Sequence, residues 1–178
     1  IKKMYAPRYL TLQPAGEALE LTVLNDTADA WTGEVALRRH GYNGSVLADA
    51  VVHVEVAPRP SVKVEVPGDV ATPGDPASEL VCAQLGDVRT EHFFAAPRDA
   101  ALEPADVSVS VSGDRVTVQA NNLVREVALL VDKVDPQAQV DDMLVTLLPG
   151  EAVTFTVSGA SVDAEQARRV LVSVNDLV

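Results

Sequence analysis

The sequence predicts an all-β protein made of two tandem immunoglobulin-like β-sandwich domains, residues 1–97 and 98–178. Three observations predict this class. Valine dominates the apolar residues, apolar and polar residues alternate in short runs, and turn residues separate these runs about every 8–12 positions. The chain has 178 residues, of which 47% are hydrophobic, so it is long enough to bury one large core or two small ones.

The first domain is predicted to contain about seven strands, the number typical of an immunoglobulin-like sandwich. The predicted strands are Arg8–Gln13, Leu19–Val23, Val35–Leu37, Ser45–Ala57, Val62–Val66, Leu80–Leu85 and Val88–Ala95. The Asn-Gly pair in Gly41–Gly44 predicts a hairpin, and the length of the fourth strand predicts a bulge near Asp49. Pro67–Ser78 is predicted to be an irregular connection with a short turn.

The second domain is predicted to follow a linker, Pro97–Asp106, which is rich in alanine and proline. Its predicted strands are Val107–Val111, Val116–Val118, Glu126–Val131, Val140–Leu148, Val153–Val157 and Val170–Val174. Gly113-Asp114 predicts a hairpin turn. Ser161–Arg169 is the predicted helix, with Ser161 as its candidate N-cap.

The charge balance argues against two classes of partner. The chain has 26 acidic and 14 basic residues, a formal net charge of −12, which disfavours binding to a phosphate backbone or to an anionic membrane surface. Aromatic residues make up only 4%, too few for a row of base-stacking platforms. No apolar run reaches the roughly 18 residues of a membrane-spanning helix. We therefore expect neither nucleic acid nor membrane as a partner.

The start of the chain predicts its origin. Ile1-Lys2-Lys3-Met4 lacks an initiator methionine, and no signal-peptide-like apolar run follows it, so we expect a piece cut from a longer protein. The single cysteine, Cys82, cannot form an internal disulfide, which fits a cytoplasmic, bacterial parent.

The sequence predicts no catalytic residue and no cofactor. The three histidines, His40, His53 and His92, have no partner at metal-ligand spacing. His53 lies on the polar phase of its strand and is expected at the surface, whereas Cys82 lies in an apolar strand and is expected in the core. Neither a G-x-S-x-G elbow nor a glycine-rich phosphate loop occurs.

The acidic residues do not predict a metal site or a catalytic pair. Asp141-Asp142, with Asp135 nearby, could bind calcium, but the ligand spacing of a calcium loop is missing, so a solvated acidic loop is the favoured interpretation. A glycosidase needs two carboxylates facing each other across about 5 Å or 6.5–9.5 Å. No carboxylate here has the apolar sequence setting that would raise its pKa.

The aromatic residues are candidates for packing. Trp31 lies between two predicted strands, and we expect it to plug the end of the first sandwich, with a domain contact or sugar stacking as alternatives. Phe93 and Phe94 precede the linker, so we expect them to pack between the two domains.

Short motifs in a characteristic order carry a resemblance that covers nearly the whole chain. These motifs are Tyr5-Ala6-Pro7, Asn25-Asp26-Thr27, Trp31-x-Gly33, Gly41–Gly44, Phe93-Phe94, Asp141-Asp142 and Leu147–Glu151. Their order resembles the region that follows the catalytic barrel in β-mannosidases of glycoside hydrolase family 2.

The resemblance implies a non-catalytic C-terminal region. In this family a (β/α)₈ barrel carries both catalytic glutamates, and this chain has no alternating βα units that could form one. The implied parent enzyme hydrolyses terminal β-D-mannosyl residues, and the implied partner of the chain is the barrel, with Tyr5 marking the exit from it. Tyr5, Trp31, Phe93 and Phe94 would pack against the barrel or between domains. The alternatives are a carbohydrate-binding module, whose partner would be an oligosaccharide, and an adhesion-type immunoglobulin-like pair.

Overall fold

The computed structural model describes residues 6–16 and 18–177. Its strands are β1 (Arg8–Ala15), β2 (Ala18–Asn25), β3 (Trp31–Gly41), β4 (Val46–Val56), β5 (Ser61–Glu65), β6 (Glu79–Leu85), β7 (Val88–Phe93), β8 (Val107–Ser112), β9 (Arg115–Ala120), β10 (Val124–Leu129), β11 (Gln139–Val140), β12 (Val145–Leu147), β13 (Ala152–Ser158) and β14 (Leu171–Val172). Two short helices are α1 (Gly68–Ala71) and α2 (Ala164–Val170). No helix within the described residues is long and apolar enough to cross a membrane.

The described residues form two compact units. One contains residues 6–41 and 45–100, and the other contains residues 42–44 and 101–177. The first unit has a three-stranded sheet, β1-β2-β5, and a four-stranded sheet, β4-β3-β6-β7. The second has a four-stranded sheet, β11-β13-β9-β8, and a three-stranded sheet, β12-β10-β14. Neighbouring strands pair antiparallel throughout. The predicted all-β class with two sandwiches is confirmed.

Alternation builds the first core. Side chains in a strand point alternately to opposite faces, so β2 buries Leu19, Leu21 and Val23 while Glu20 and Thr22 stay partly exposed. In the facing sheet, β3 and β4 contribute buried residues of the same spacing, which pack on those of β2. Trp31 belongs to this core.

The second core forms in the same way around an aromatic residue. Phe155 of β13 is fully buried, and its register partner on β9 is Val116, which is 1% exposed. Val127 of β10 and Ala167 of α2, both fully buried, belong to the same core.

A Gly-Asp pair forms the turn of two hairpins, Gly86-Asp87 in one and Gly113-Asp114 in the other. Gly86 and Gly113 have φ values of 61° and 63°, in the left-handed region that glycine adopts without a steric penalty. Each is the first residue of a two-residue connection, between β6 and β7 and between β8 and β9. The predicted Gly113-Asp114 turn is confirmed.

The predicted strand Val140–Leu148 is wrong in extent. The structure divides it into β11 and β12, which belong to different sheets. Between them, the Asp141 carboxylate accepts a hydrogen bond from the Thr156 amide (2.8 Å), and Leu144 has a φ of 59°. The chain therefore changes direction here, between two short apolar segments that the sequence does not visibly separate.

The predicted helix Ser161–Arg169 exists, but its predicted cap is wrong. Asp163 is the N-cap of α2: its carboxylate accepts a hydrogen bond from the Gln166 amide (2.8 Å), and the Gln166 side chain accepts one from the Asp163 amide (3.0 Å). This is a complete capping box, which Ser161 lies too early to form. The strand predicted to follow, Val170–Val174, is limited to β14 because α2 extends to Val170.

The bulge predicted near Asp49 lies two residues earlier. Arg39 pairs with Ala48 and His40 pairs with Val46, so Leu47 is the extra residue on β4. A second irregularity, which the sequence did not predict, lies in β10. There the register shifts between Val124 and Val127, and Glu126 has a φ of 56°.

Candidate functional site

Trp31 lies at the start of β3, with Val56 of β4 as its register partner. It is only 7% exposed and belongs to the first core, so its predicted core position is confirmed. The guanidinium carbon of Arg8, on β1, lies 5.4 Å from the centroid of the Trp31 ring. This cation–π contact joins the two sheets at one end of the unit and leaves the indole little free face for a ligand.

Phe94 packs against the first core, and its ring meets that of His92 edge-to-face, with a centroid distance of 5.3 Å and an interplanar angle of 87°. Burial lowers the pKa of His92, which favours its neutral form. Phe93 ends β7 opposite Leu80 and is not among the residues packed on this core. The role predicted for both residues between domains stays a prediction.

Tyr5, the fourth predicted packing residue, lies outside the described residues. The six other aromatic residues are all described, and each is buried or half-buried. They are Tyr9, Trp31, Tyr42, Phe93, Phe94 and Phe155. The described residues therefore offer no exposed row of rings on which sugars could stack.

A buried carboxylate that no sequence pattern indicates, Glu79, lies at the start of β6. It is 7% exposed and forms a salt bridge with Arg39 of β3. It also accepts hydrogen bonds from the amides of Gly74 (3.1 Å) and Asp75 (2.9 Å), while Nε of Arg39 donates to the carbonyl of Asp69 (3.3 Å). These contacts fix the irregular connection between β5 and β6.

The environment of Glu79 determines its charge. Burial acts to raise its pKa, but the hydrogen bond from Arg39 and those from the amides of Asp75 and Gly74 together lower the pKa below its usual value. Glu79 is therefore a charged structural group. A general acid needs the opposite shift.

The predicted acidic loop also uses its carboxylates internally. The hydrogen bond from the Thr156 amide lowers the pKa of Asp141, against the opposing effect of burial. The Asp142 carboxylate accepts from the Met143 amide (2.8 Å), and the Asp135 carboxylate accepts from the Gln137 amide (2.8 Å). Within the described residues, no group of three or more histidine, cysteine or acidic side chains is placed to hold a metal ion.

Two buried asparagines organise loops, one in each unit. In the first, Nδ2 of Asn25 donates to the carbonyls of Asp29 (2.8 Å) and Ala57 (3.1 Å), and its Oδ1 accepts from the Thr27 hydroxyl (2.7 Å). Asn25 is fully buried, and its hydrogen bonds hold two loops together, so the Asn25-Asp26-Thr27 motif has a structural role. No periodicity in the sequence could have indicated this role.

Asn175 does the same in the second unit. Its Nδ2 donates to the carbonyls of Glu103 (2.7 Å) and Leu123 (2.9 Å), and its Oδ1 accepts from the Arg125 amide (2.8 Å). Asn175 is 4% exposed and ties the end of the chain to the segment before β8 and to the start of β10.

The second unit also contains a cavity of about 220 Å³. Its walls include Val107, Val124 and Val127, and Arg168 and Asp176 are its charged residues. The Asp176 carboxylate already accepts hydrogen bonds from the amide (2.9 Å) and the hydroxyl (2.7 Å) of Ser173. The cavity therefore lacks the pair of facing carboxylates that glycoside hydrolysis requires.

The remaining sequence-based expectations concern individual residues. Cys82 is 7% exposed, which confirms its predicted burial. His53 is exposed, which confirms its predicted surface position. His40, by contrast, is buried at 7% exposure.

Comparison with known proteins places the fold. No protein-family model matches the chain, and no curated protein matches its sequence. Among solved structures, the β-D-mannosidase from Dictyoglomus thermophilum is similar over 97% of this chain and 22% of its own, with a TM-score of 0.69 and 20% sequence identity. The exo-chitosanase CsxA of Amycolatopsis orientalis is similar over 98% of this chain and 26% of its own, with a TM-score of 0.61 and 15% identity.

The fold is thus that of a portion of these glycoside hydrolases. The chain spans about a quarter of the length of the structures it matches. At 15–20% identity the likeness concerns the fold alone, and it confirms at that level the resemblance to β-mannosidases carried by the sequence motifs.

Proposed function

We propose that this chain is the non-catalytic C-terminal β-sandwich region of a glycoside hydrolase of family 2 that resembles β-mannosidase. The parent enzyme would hydrolyse terminal β-D-mannosyl residues in the bacterial cytoplasm. The chain would contribute structure, by packing against the catalytic barrel and stabilising the enzyme.

One observation carries this proposal: the fold matches a β-D-mannosidase over 97% of this chain but over only 22% of the mannosidase. A chain that corresponds so completely to a small part of an enzyme is well explained as an accessory region. Fold alone does not define function, so the residues must also support it.

The charged groups support a structural role. Among the described carboxylates, Glu79 and Asp141 have a lowered pKa. Each accepts hydrogen bonds that fix an irregular segment, between β5 and β6 in one case and between β11 and β12 in the other. Groups of this kind stabilise a fold but are poor proton donors near neutral pH.

The aromatic residues weigh against a carbohydrate-binding module. Sugar rings stack on exposed aromatic faces, whereas Trp31 is 7% exposed and contacts Arg8. Trp31 and Phe94 act within the first core. In the proposed parent, Tyr5 and Phe93 remain the candidates for contacts outside that core.

Two measurements on the 178-residue chain test the proposal. We expect no hydrolysis of an aryl β-mannoside above the buffer rate, because the cavity within the described residues has no facing pair of carboxylates. We also expect no chemical-shift changes when manno-oligosaccharides are titrated into the ¹⁵N-labelled chain. Hydrolysis at a rate near that of an intact β-mannosidase would refute the non-catalytic role. Saturable shifts confined to one sheet would instead support a carbohydrate-binding module.

A further inference from the structure

The strand β4 is an unusually open edge. It spans 11 residues and lies at the end of the sheet order β4-β3-β6-β7, so within the described residues its only strand neighbour is β3. Three apolar side chains on it are exposed: Val46 by 53%, Leu47 by 46% and Val51 by 61%. Edge strands offer unpaired backbone groups, and proteins usually protect them with lysine, proline or short length.

One edge strand of the other sheet in this unit, β5, is protected by a short length, a lysine and nearby prolines, whereas the protection of β4 is limited to the bulge at Leu47, before the centre of the strand. β5 has five residues, carries the exposed Lys63, and follows Pro58 and Pro60. β4 contains neither lysine nor proline. Gly68 and Asp69 of α1 line a pocket together with Leu47 and Asp49 of β4. At the centre of the strand, Val51 is 61% exposed and is therefore uncovered.

We propose that β4 pairs antiparallel with β4 of a second copy of this chain, with Val51 on the twofold axis. In such an isologous pair, residues equally far before and after the axis lie opposite each other. Val51 then meets Val51 of the second copy, and Asp49 meets His53 of the second copy, twice. The two four-stranded sheets join into one continuous sheet.

Charge complementarity on the outer face selects this register. Within each copy, Arg38 lies opposite Asp49 and Glu34 lies opposite His53. Across the axis, the row reads Arg38, Asp49, then His53 and Glu34 of the second copy, so basic and acidic groups alternate over four strands. Within the described residues, the side chains of Asp49 and His53 make no hydrogen bond or ion pair of their own.

Neighbouring registers are less favourable. Moving the axis to Val52 places Asp49 opposite Glu55 of the second copy, which brings two carboxylates together. Moving it to Ala50 places the aspartate opposite the apolar Val51 of the second copy. Only the axis at Val51 matches apolar with apolar and acid with imidazole at the centre of the strand.

The test measures the mass of the 178-residue chain in solution by light scattering or sedimentation, from low micromolar to several hundred micromolar. We expect a concentration-dependent shift from 18.8 kDa towards twice that mass. Val51→Lys should raise the dissociation constant at least about tenfold, because lysine at the axis brings two charges together. Met143→Lys, at a position 41% exposed on the second unit, is the matched control and should leave the dimer unchanged.

A charge swap distinguishes this register from other modes of association. His53→Asp places two aspartates opposite each other at both ends of the pair and should weaken the dimer. Combining it with Asp49→His restores one acid and one imidazole in each pair across the axis, so the double variant should dimerise more tightly than His53→Asp alone. Far-UV circular dichroism checks that each variant is folded. A monomeric wild type, a Val51→Lys dimer as tight as wild type, or a double variant as weak as His53→Asp would each overturn the proposal.

Discussion

Glu79 shows how a single side chain holds an irregular segment in place. Its carboxylate joins Arg39 of β3 to the amides of Gly74 and Asp75, in a region with little regular secondary structure. A buried charge is costly unless it is fully paired, and here each donor is a cation or a backbone amide. Glu79 therefore helps to hold the connection between β5 and β6 in place.

We expect Glu79→Gln to lower the free energy of unfolding by about 2–3 kcal/mol at neutral pH, because it leaves Arg39 without its counter-charge. The folded-state pKa of Glu79 is lower than its ordinary value of 4.5. Its stabilising effect is therefore complete above about pH 4.5 and is lost as the pH falls through the folded-state pKa. Denaturant unfolding of both proteins between neutral and acidic pH measures this difference.

The matched control is Glu20→Gln, which removes an ion pair with Lys63 on the surface. The Lys63 side chain is 67% exposed, so solvent screens the pair and we expect a change below about 0.5 kcal/mol. Equal effects of the two substitutions, or a Glu79→Gln difference that persists unchanged in acid, would show that Glu79 does not act through its charge.

At the scale of elements, α2 shows that alternation and composition predict a helix but do not identify the residue that caps it. A polar first turn and a nearby serine both suggested a helix start, but only Asp163 has Gln166 at the spacing of a capping box. The cap depends on the backbone conformation of one residue, with Asp163 in an extended conformation before the first turn. Short helices depend on such caps because they have few hydrogen bonds of their own.

We expect Asp163→Ala to destabilise the protein by about 1 kcal/mol, because it removes the hydrogen bond to the Gln166 amide. Ser161→Ala serves as the control and should change stability by less than about 0.5 kcal/mol. Thermal or denaturant unfolding of both variants provides the measurement. A larger loss of stability from Ser161→Ala than from Asp163→Ala would instead identify Ser161 as the cap.

Regular strands could be predicted from the sequence, whereas the points where the chain leaves a sheet could not. The alternation around Leu19, Leu21 and Val23 identified β2 because one face of that strand is buried over its whole length. The run from Val140 to Leu148 is rich in apolar residues without strict alternation, and it crosses between sheets. Its crossing depends on the hydrogen bond from the Thr156 amide to Asp141, which joins residues 15 positions apart.

Among the residues of the candidate site, those with a local sequence signal could be predicted, whereas those that act through contacts distant in sequence could not. Trp31 was expected in the core because a single tryptophan between strands commonly packs at the end of a sandwich. The structure confirms this position. The Arg39–Glu79 pair joins residues 40 positions apart in sequence, so no local pattern reveals it. Asn25 is recognisable in the sequence only as part of a short motif, because its hydrogen bonds to a second loop depend on the folded sheet.

At the scale of the whole molecule, Phe93 and Phe94 make separate contributions. Phe94 packs on the first core, so we expect Phe94→Ala to lower its stability by about 1–2 kcal/mol through the cavity it leaves. Phe93→Ala tests the predicted packing between domains, and we expect it to separate the unfolding transitions of the two units. Calorimetry records both effects, and unchanged thermal unfolding in both variants would refute a packing role for the pair.

The central proposal is that this chain stabilises a hydrolase whose chemistry resides elsewhere. The most direct measurement compares that hydrolase with and without these 178 residues, recording the melting temperature and the kcat for an aryl β-mannoside below it. We expect the truncated enzyme to melt several degrees lower, and the separate chain added in trans to restore part of that loss. An unchanged melting temperature without the chain, or hydrolysis by the chain alone, would contradict the proposal.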